Sequence, residues 1–341
     1  MRWINKNIAQ FGGNASHVTV WGESAGGGSV MMLTQAFGGA LGSSLWQGAI
    51  ANSPYLPIQY AYNDPVPQTY YDSMVHLTGC GGPLNFSCLS NAPYETVFEA
   101  AANLSQTLSP FGTWSSNPVT DGRINQAPPS QALYPGQVNG AYMYAGSNAH
   151  EGYGFVPQNL TTNADFEEWF DSEYPLIDAH TKELLFQIYP EPTASNGAYD
   201  TKFHRAATLY GDATFICPAY WLALAFPQTG YKYIFDLGSA IHGDDVASYF
   251  NDPADYNVTA ARPYTLGSIQ AFWESWNPAS NPAVSNLTWG PYDVQTGFSE
   301  VIWQTTSNST NATTYAYTTA LNDAQPYQCT FWRAIGPQVP E

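Results

Sequence analysis

The sequence predicts an α/β fold in which a mostly parallel sheet is flanked by helices. Strand-like runs rich in β-branched and aromatic residues lie at 18–21, 48–54 and 231–237, and a fourth opens the segment 141–152. Helical patterns separate these runs, and no internal repeat or interdomain linker interrupts them. We therefore predict that residues 1–341 form a single domain.

The segment from Val18 to Leu33 has the order strand, sharp turn, helix, and a Gly-x-Ser-x-Gly pentapeptide centred on Ser24 lies at the turn. In a nucleophile elbow the serine sits on a strained turn, and glycines two residues to either side let strand and helix approach closely. Gly22 and Gly26 occupy those positions. The segment therefore predicts a nucleophilic serine.

A serine hydroxyl is a weak nucleophile at neutral pH, so it needs an imidazole to accept its proton and a carboxylate to orient that imidazole. After such an elbow the triad follows the chain order Ser, acid, His, each on a loop after a strand. Glu151 and His242 satisfy this order, but Asp121 in Val-Thr-Asp-Gly also resembles a strand end, so the residues leave the acid open. The other histidines precede or adjoin the acid, or fall in helical patterns: His17, His76, His150, His180 and His204.

The composition excludes several classes of partner. Acidic residues outnumber basic ones by 27 to 9, and a net charge of -18 argues against binding nucleic acid or an anionic membrane surface. No run of 18 apolar residues occurs, so no membrane-spanning helix is predicted. The cysteines and histidines lack zinc spacing, and the glycines after Ser24 lack the lysine of a phosphate loop, so we expect neither metal nor cofactor.

Four cysteines and eight Asn-x-Ser/Thr sequons indicate a secreted protein, although the segment Met1–Asn7 lacks the apolar core of a signal peptide. Cys80 and Cys88 bracket a Gly-Pro turn and suit a small covalent loop, but four cysteines allow three pairings and the residues do not choose among them. The sequons begin at Asn14, Asn85, Asn103, Asn159, Asn257, Asn286, Asn308 and Asn311.

The segments 2–14 and 18–27 resemble the type-B carboxylesterase/lipase family, which includes cholinesterases and fungal lipases. The resemblance implies an α/β-hydrolase fold and hydrolysis of small-molecule or lipid esters through an acyl-enzyme. The segment 146–152 is similar to the family's block around its catalytic glutamate, and 241–245 to its histidine block. The resemblance therefore favours Glu151 over Asp121 as the acid.

The same resemblance implies further roles. The backbone N–H of Ala25 would bind the oxyanion, and Glu23 and Ser53 would support the triad, although Glu23 could also be a solvated turn residue and Ser53 a simple strand end. Cys217 would pair with Cys329 and tie the tail to the domain.

Three structural expectations complete the interpretation. Residues 2–11 are predicted to form a helix that is closed by Gly12 and Gly13. The apolar residues of its inward face are Trp3, Ile4, Ile8 and Phe11. The helical patterns around 160–227 are predicted to form a cap over the sheet. No Gly-rich oxyanion loop precedes Ser24, so we expect an N-terminally truncated domain that lacks its early strands and has little activity of its own.

Two rival classes remain at this point. A non-catalytic binding protein of the same fold would be expected to have lost a triad residue, and none is lost. A carbohydrate-active enzyme would account for the 11 tryptophans and the acidic excess, but it gives no reason for the elbow.

Overall fold

The computed structural model describes residues 1–82, 85–133, 136–192, 199–250, 256–293, 299–305, 314–320 and 324–339. In these ranges six strands form one sheet, and their spatial order is their order along the chain. The first five strands run parallel and the sixth is antiparallel to the fifth, so the predicted α/β class with a mostly parallel sheet is confirmed. The strands are β1 (Thr19–Glu23), β2 (Gly48–Asn52), β3 (Tyr142–Asn148), β4 (Gly230–Asp236), β5 (Ser299–Thr305) and β6 (Thr314–Ala320).

Helices connect and cover the strands. In the first half of the described chain they are α1 (Arg2–Asn7), α2 (Ala25–Gln35), α3 (Pro65–Leu77), α4 (Asn85–Asn91), α5 (Tyr94–Thr107) and α6 (Pro129–Ala132). In the second half they are α7 (Asn163–Glu173), α8 (Ala179–Ile188), α9 (Lys202–Gly211), α10 (Cys217–Leu224), α11 (Val246–Tyr249), α12 (Tyr256–Ser275) and α13 (Ala324–Ala334).

Two hydrophobic cores lie on the two faces of the sheet. Successive side chains of a strand point to opposite faces, so Met143 and Ala145 of β3 belong to the first core, while Tyr144 between them belongs to the second. The first core includes residues of α2, α10 and α13, and the second is completed by α12. The strands β2, β3 and β4 are therefore buried on both sides, as is usual for a parallel sheet.

The predicted cap is only partly separate from the sheet. Helices α7 and α9 pack on each other, and α9 contacts the turn Glu151–Gly154 that follows β3. Helix α10, the last helix of the predicted cap, packs directly on β3 and β4 because it is apolar on all sides. It therefore belongs to the helical layer that covers the sheet.

The prediction for the first helix is wrong in one respect. Trp3 and Phe11 are 64% and 72% exposed, whereas Ile4 and Ile8 are partly buried, so only part of the predicted apolar face is covered in the described chain. Helix α1 ends before Ile8, and a 3-10 helix from Ile8 to Phe11 continues the segment to Gly12, which adopts the left-handed conformation with φ +81°.

Two disulfides cross-link the chain. Cys80 is joined to Cys88, which closes a short loop onto α4. Cys217 at the start of α10 is joined to Cys329 in α13, which ties the tail to the layer over the sheet.

Candidate active site

The carboxyl ends of four adjacent parallel strands each supply one polar side chain to the same place. Ser24 follows β1, Ser53 follows β2, and Glu151 and His242 lie on the loops after β3 and β4. The carboxyl ends of parallel strands meet at one edge of a sheet, which is where α/β proteins bind ligands. The sheet therefore brings together residues that are far apart in sequence.

Ser24 lies on a strained turn between β1 and α2. Its φ of +57° is in the left-handed region, which a residue with a side chain occupies only when its surroundings enforce it. A Cβ atom on Gly22 would lie 2.3 Å from the carbonyl carbon of Gly26, and one on Gly28 would lie 2.3 Å from the oxygen of Tyr55. Gly26 itself has open space for a side chain, so the crowding predicted there falls instead on Gly27 and Gly28.

Ser24, His242 and Glu151 form a continuous hydrogen-bonded line. The Nε2 atom of His242 lies 2.8 Å from the Oγ atom of Ser24, and its Nδ1 atom lies 2.6 Å from Oε2 of Glu151. Phe155 and Phe215 pack against the imidazole, with ring centroids 5.0 and 4.4 Å away. The imidazole is therefore held both by its hydrogen bonds and by its neighbours.

Burial acts to lower the pKa of His242, because the charged form loses solvation. The hydrogen bond and negative charge of Glu151, together with the negative charges of Glu23 and Asp245, outweigh this effect, so the pKa lies above its ordinary value. An imidazole so tuned accepts a proton more readily than one in solution.

The carboxylate of Glu151 is buried, with 1% of the residue exposed, and polar groups surround it. The hydroxyl of Ser53 and the backbone N–H of Asn148 both donate to Oε1, each over 2.6 Å. The side-chain amide of Asn148 adds a longer contact of 3.4 Å to the same atom. These donors leave Oε2 for His242, so they fix which oxygen orients the imidazole.

Glu23 lies on the other side of the histidine, with its Oε1 atom 3.5 Å from Nε2 of His242. Desolvation raises its pKa to about 7, partly offset by the attraction of His242 and reinforced by the negative charges of Asp245 and Glu151. Glu23 therefore titrates near neutral pH, and its Oε1 atom lies close to the Nε2 atom of His242 that is hydrogen-bonded to Ser24.

Asp245 is a buried carboxyl group beneath the site that the sequence did not reveal. Asn148 donates to its Oδ1 atom over 3.2 Å, and the hydroxyls of Tyr233 and Tyr249 donate to Oδ2 over 3.1 and 3.2 Å. Desolvation, followed by the charge of Glu151, raises its pKa to about 6, although these three hydrogen bonds favour the ionised form. Its place three residues after His242, on the same loop, was the available signal.

The rival acid, Asp121, lies in a different environment. Its Oδ1 atom accepts the backbone N–H groups of Arg123, Ile124 and Asn125 in a solvent-exposed turn. These hydrogen bonds lower the pKa of Asp121. These turn hydrogen bonds account for the presence of an aspartate at this position.

Ala25 is the first residue of α2, and the first N–H groups of a helix have no acceptor within the helix. A cavity of about 780 Å³ opens beside it and Ser24. We call this space the catalytic cavity. Its walls are mostly apolar and include Met32, Leu33, Tyr55, Trp114 and Ile124. An apolar group bound next to Ser24 would have room in it.

Two further properties concern the described part of the chain. Its residues contain no group of three or more His, Cys, Asp or Glu side chains arranged to hold a metal ion. Nor is any helix within those ranges both long enough and apolar enough to cross a bilayer.

Comparison with known families assigns the chain. A model described as "Carboxylesterase family" matches residues 1–332, almost the whole sequence. The chain belongs to the carboxylesterase family.

Curated relatives of this carboxylesterase-family chain include fungal lipases and esterases. It is 29% identical to "Secreted lipase 1" of Botryotinia fuckeliana, over 86% of this chain and 55% of the relative. It is 28% identical to "Carboxylesterase patB" of Aspergillus clavatus over 79% of this chain and 47% of the relative, and 29% identical to "Secreted triacylglycerol lipase LIP1" of Gibberella zeae over 73% and 47%. The chain thus spans about half the length of these relatives.

Among solved structures, the crystal structure of Aspergillus niger EstA matches the whole carboxylesterase-family chain with a TM-score of 0.82 at 23% identity. The chain covers 68% of that structure. This likeness confirms the α/β-hydrolase fold.

Proposed function

We propose that this chain carries the catalytic triad of a serine carboxylic-ester hydrolase, with Ser24 as nucleophile, His242 as general base and acid, and Glu151 as orienting carboxylate. The hydrogen-bonded line from the Ser24 hydroxyl through His242 to Glu151 is the observation that carries the proposal. Membership of the carboxylesterase family supports the choice of an ester as substrate.

The reaction follows from the positions of the atoms. His242 takes the proton of the Ser24 hydroxyl through Nε2 as Oγ attacks the ester carbonyl carbon, while Glu151 at Nδ1 stabilises the imidazolium. The imidazolium then gives its proton to the leaving alcohol, and an acyl group remains on Ser24. A water molecule activated by His242 releases the acid and restores the serine.

Two features bear on the substrate. The N–H of Ala25 provides one donor for the negative oxygen of the tetrahedral intermediate. The apolar walls of the catalytic cavity suit an acyl or alcohol group of low polarity, such as those of small-molecule and lipid esters.

We also propose that the protein is secreted. Two relatives are named as secreted lipases, and the chain has two disulfides, which persist in oxidising compartments. Four of the sequon asparagines are exposed in the structure, namely Asn14, Asn103, Asn159 and Asn286, whereas Asn308 and Asn311 lie outside the described residues.

Labelling with a fluorophosphonate probe tests the central assignment directly. The probe should attach covalently to Ser24, and the Ser24→Ala variant should remain unlabelled. Labelling that persists in Ser24→Ala would contradict the assignment, and an unlabelled wild-type chain would favour a non-catalytic binding protein.

Hydrolysis of a short p-nitrophenyl ester separates the two candidate acids. Glu151→Gln should lower kcat by roughly 10⁴-fold, because the amide no longer holds the imidazole in the required tautomer. The matched control Asp121→Asn should leave kcat within about twofold of wild type, since that carboxylate serves an exposed turn. A loss confined to Asp121→Asn would reverse the assignment of the acid.

A further inference from the structure

A second cavity of about 250 Å³ lies next to the catalytic cavity. Both are lined by Tyr55, Pro57 and Trp114, so the two cavities adjoin one another along these residues. The aromatic ring of Trp114 packs edge-on against that of Tyr55, with centroids 5.4 Å apart. A group attached to a substrate at Ser24 therefore has a second space next to the catalytic cavity.

The second cavity is mostly apolar, but one carboxylic acid lines it. Glu173, the last residue of α7, is only 5% exposed. Within the described ranges no hydrogen bond or ion pair to its carboxyl group is found. Because Glu173 lines the cavity, a ligand bound there could supply the hydrogen-bond partner that the described protein groups do not.

Two effects keep Glu173 in its neutral form. Burial raises its pKa to about 8. The residue also ends a helix, where the helix dipole disfavours negative charge. At neutral pH the group is thus mainly a carboxylic acid, which donates one hydrogen bond and accepts others, and a neutral hydroxyl group is the partner that can match both roles.

We propose that the second cavity is a substrate subsite, in which Glu173 selects an ester whose apolar acyl chain ends in a hydroxyl group. The chain would run from Ser24 past Trp114, and the hydroxyl would exchange hydrogen bonds with the Glu173 carboxyl. The assignment of the ligand as an acyl chain rests on the proposed ester hydrolysis. The binding of the hydroxyl group does not, because it can be measured without any reaction.

Calorimetric titration with hexan-1-ol and 1-chlorohexane tests the subsite independently of catalysis. Glu173→Leu should weaken the binding of hexan-1-ol roughly 10-fold, whereas Glu173→Gln should weaken it less than threefold because the amide still donates and accepts. The binding of 1-chlorohexane, which cannot donate a hydrogen bond, should change less than twofold in both variants. Equal losses for the two probes in Glu173→Leu would show a general packing defect and overturn the proposal. Tighter binding of hexylammonium than of hexan-1-ol at pH 7 would also overturn it, because it would require an ionised carboxylate.

A series of p-nitrophenyl esters then places the acyl chain. For each acyl chain length from four to twelve carbons, kcat/KM is measured for the ester with a terminal hydroxyl and for the ester without one. The first value is divided by the second, and this ratio is compared between wild type and Glu173→Leu. In the wild type the ratio should rise to roughly 10 at lengths that reach the second cavity, and in Glu173→Leu it should stay near 1 at every length. A ratio that is independent of Glu173 at all lengths would refute the acyl assignment. A chain that hydrolyses none of the esters would contradict the proposed function, while the hexan-1-ol titration would still decide the subsite.

Discussion

The pKa of Glu173 predicts how the stability of this chain depends on pH. Burial raises that pKa from 4.5 to about 8, a difference of about 3.5 pH units. The folded state therefore holds this proton more tightly than the unfolded state, and the free energy of unfolding must fall as pH rises from about 4.5 to about 8. At 1.36 kcal/mol per unit, the ionised carboxylate costs about 5 kcal/mol above pH 8 and nothing below pH 4.5.

The variant Glu173→Gln removes this titration while it preserves the size and hydrogen-bonding capacity of the side chain. Urea unfolding of both proteins between pH 4.5 and 9 gives the difference in unfolding free energy at each pH, and contributions from other carboxyl groups cancel in that difference. As pH rises from about 4.5 to about 8, the unfolding free energy of the variant minus that of the wild type should increase by about 1.4 kcal/mol per pH unit. Above about pH 8 it should level off.

Glu168 provides a matched control because it lies on the same helix but is exposed. Glu168→Gln should leave the pH dependence of stability unchanged. Parallel stability curves for wild type and Glu173→Gln would refute the reasoning, since they would mean that the Glu173 carboxyl group has the same pKa in the folded and unfolded chains.

Two further measurements probe the site and the cross-links. Glu23→Gln should move the acid limb of the kcat/KM profile to lower pH, because an ionised Glu23 3.5 Å from His242 stabilises the imidazolium; an unmoved limb would contradict this coupling. Replacing the Cys217–Cys329 pair by alanines should cost about 5 kcal/mol of unfolding free energy and the Cys80–Cys88 pair about 2.5, since the loops they close span 112 and 8 residues. Urea unfolding measures both costs, and a larger loss for the short loop would contradict the chain-entropy argument.

Local signals explain what the sequence could predict. The elbow at Ser24 is encoded within a few residues, and strands β1 to β4 were recognisable as short β-branched or aromatic runs. The order Ser, acid, His then favoured His242 but left both Glu151 and Asp121 as candidate acids, and it was the resemblance of segment 146–152 to the family's glutamate block that favoured Glu151. Strands β5 and β6 were not predicted, because they are defined by backbone pairing with β4 and with each other over long sequence separations.

Burial accounts for most of what the sequence left undetermined. The spacing of Trp3 and Phe11 shows which face of the first helix is apolar, but it does not show whether another element covers that face. The same difficulty applies to charged residues. Asp245 and Glu173 are buried, but nothing in the composition distinguishes them from the exposed acidic residues of the chain. Both facts depend on the packing of distant segments.

The geometry of the sheet explains why Glu151, the acid of the proposed triad, is buried. Ser24 and His242 follow β1 and β4, which are separated by two strands and thus by three strand spacings, or about 14 Å. The loop after β4 must therefore bend back across β3 and β2 to reach the serine, and a backbone hydrogen bond from His150 to Ala240 fixes it to the loop that carries the acid. That crossing covers the carboxyl ends of the two middle strands and excludes water from Glu151. A buried carboxylate is stable only with donors around it, and the hydroxyl of Ser53 and the backbone N–H of Asn148 provide them for Glu151.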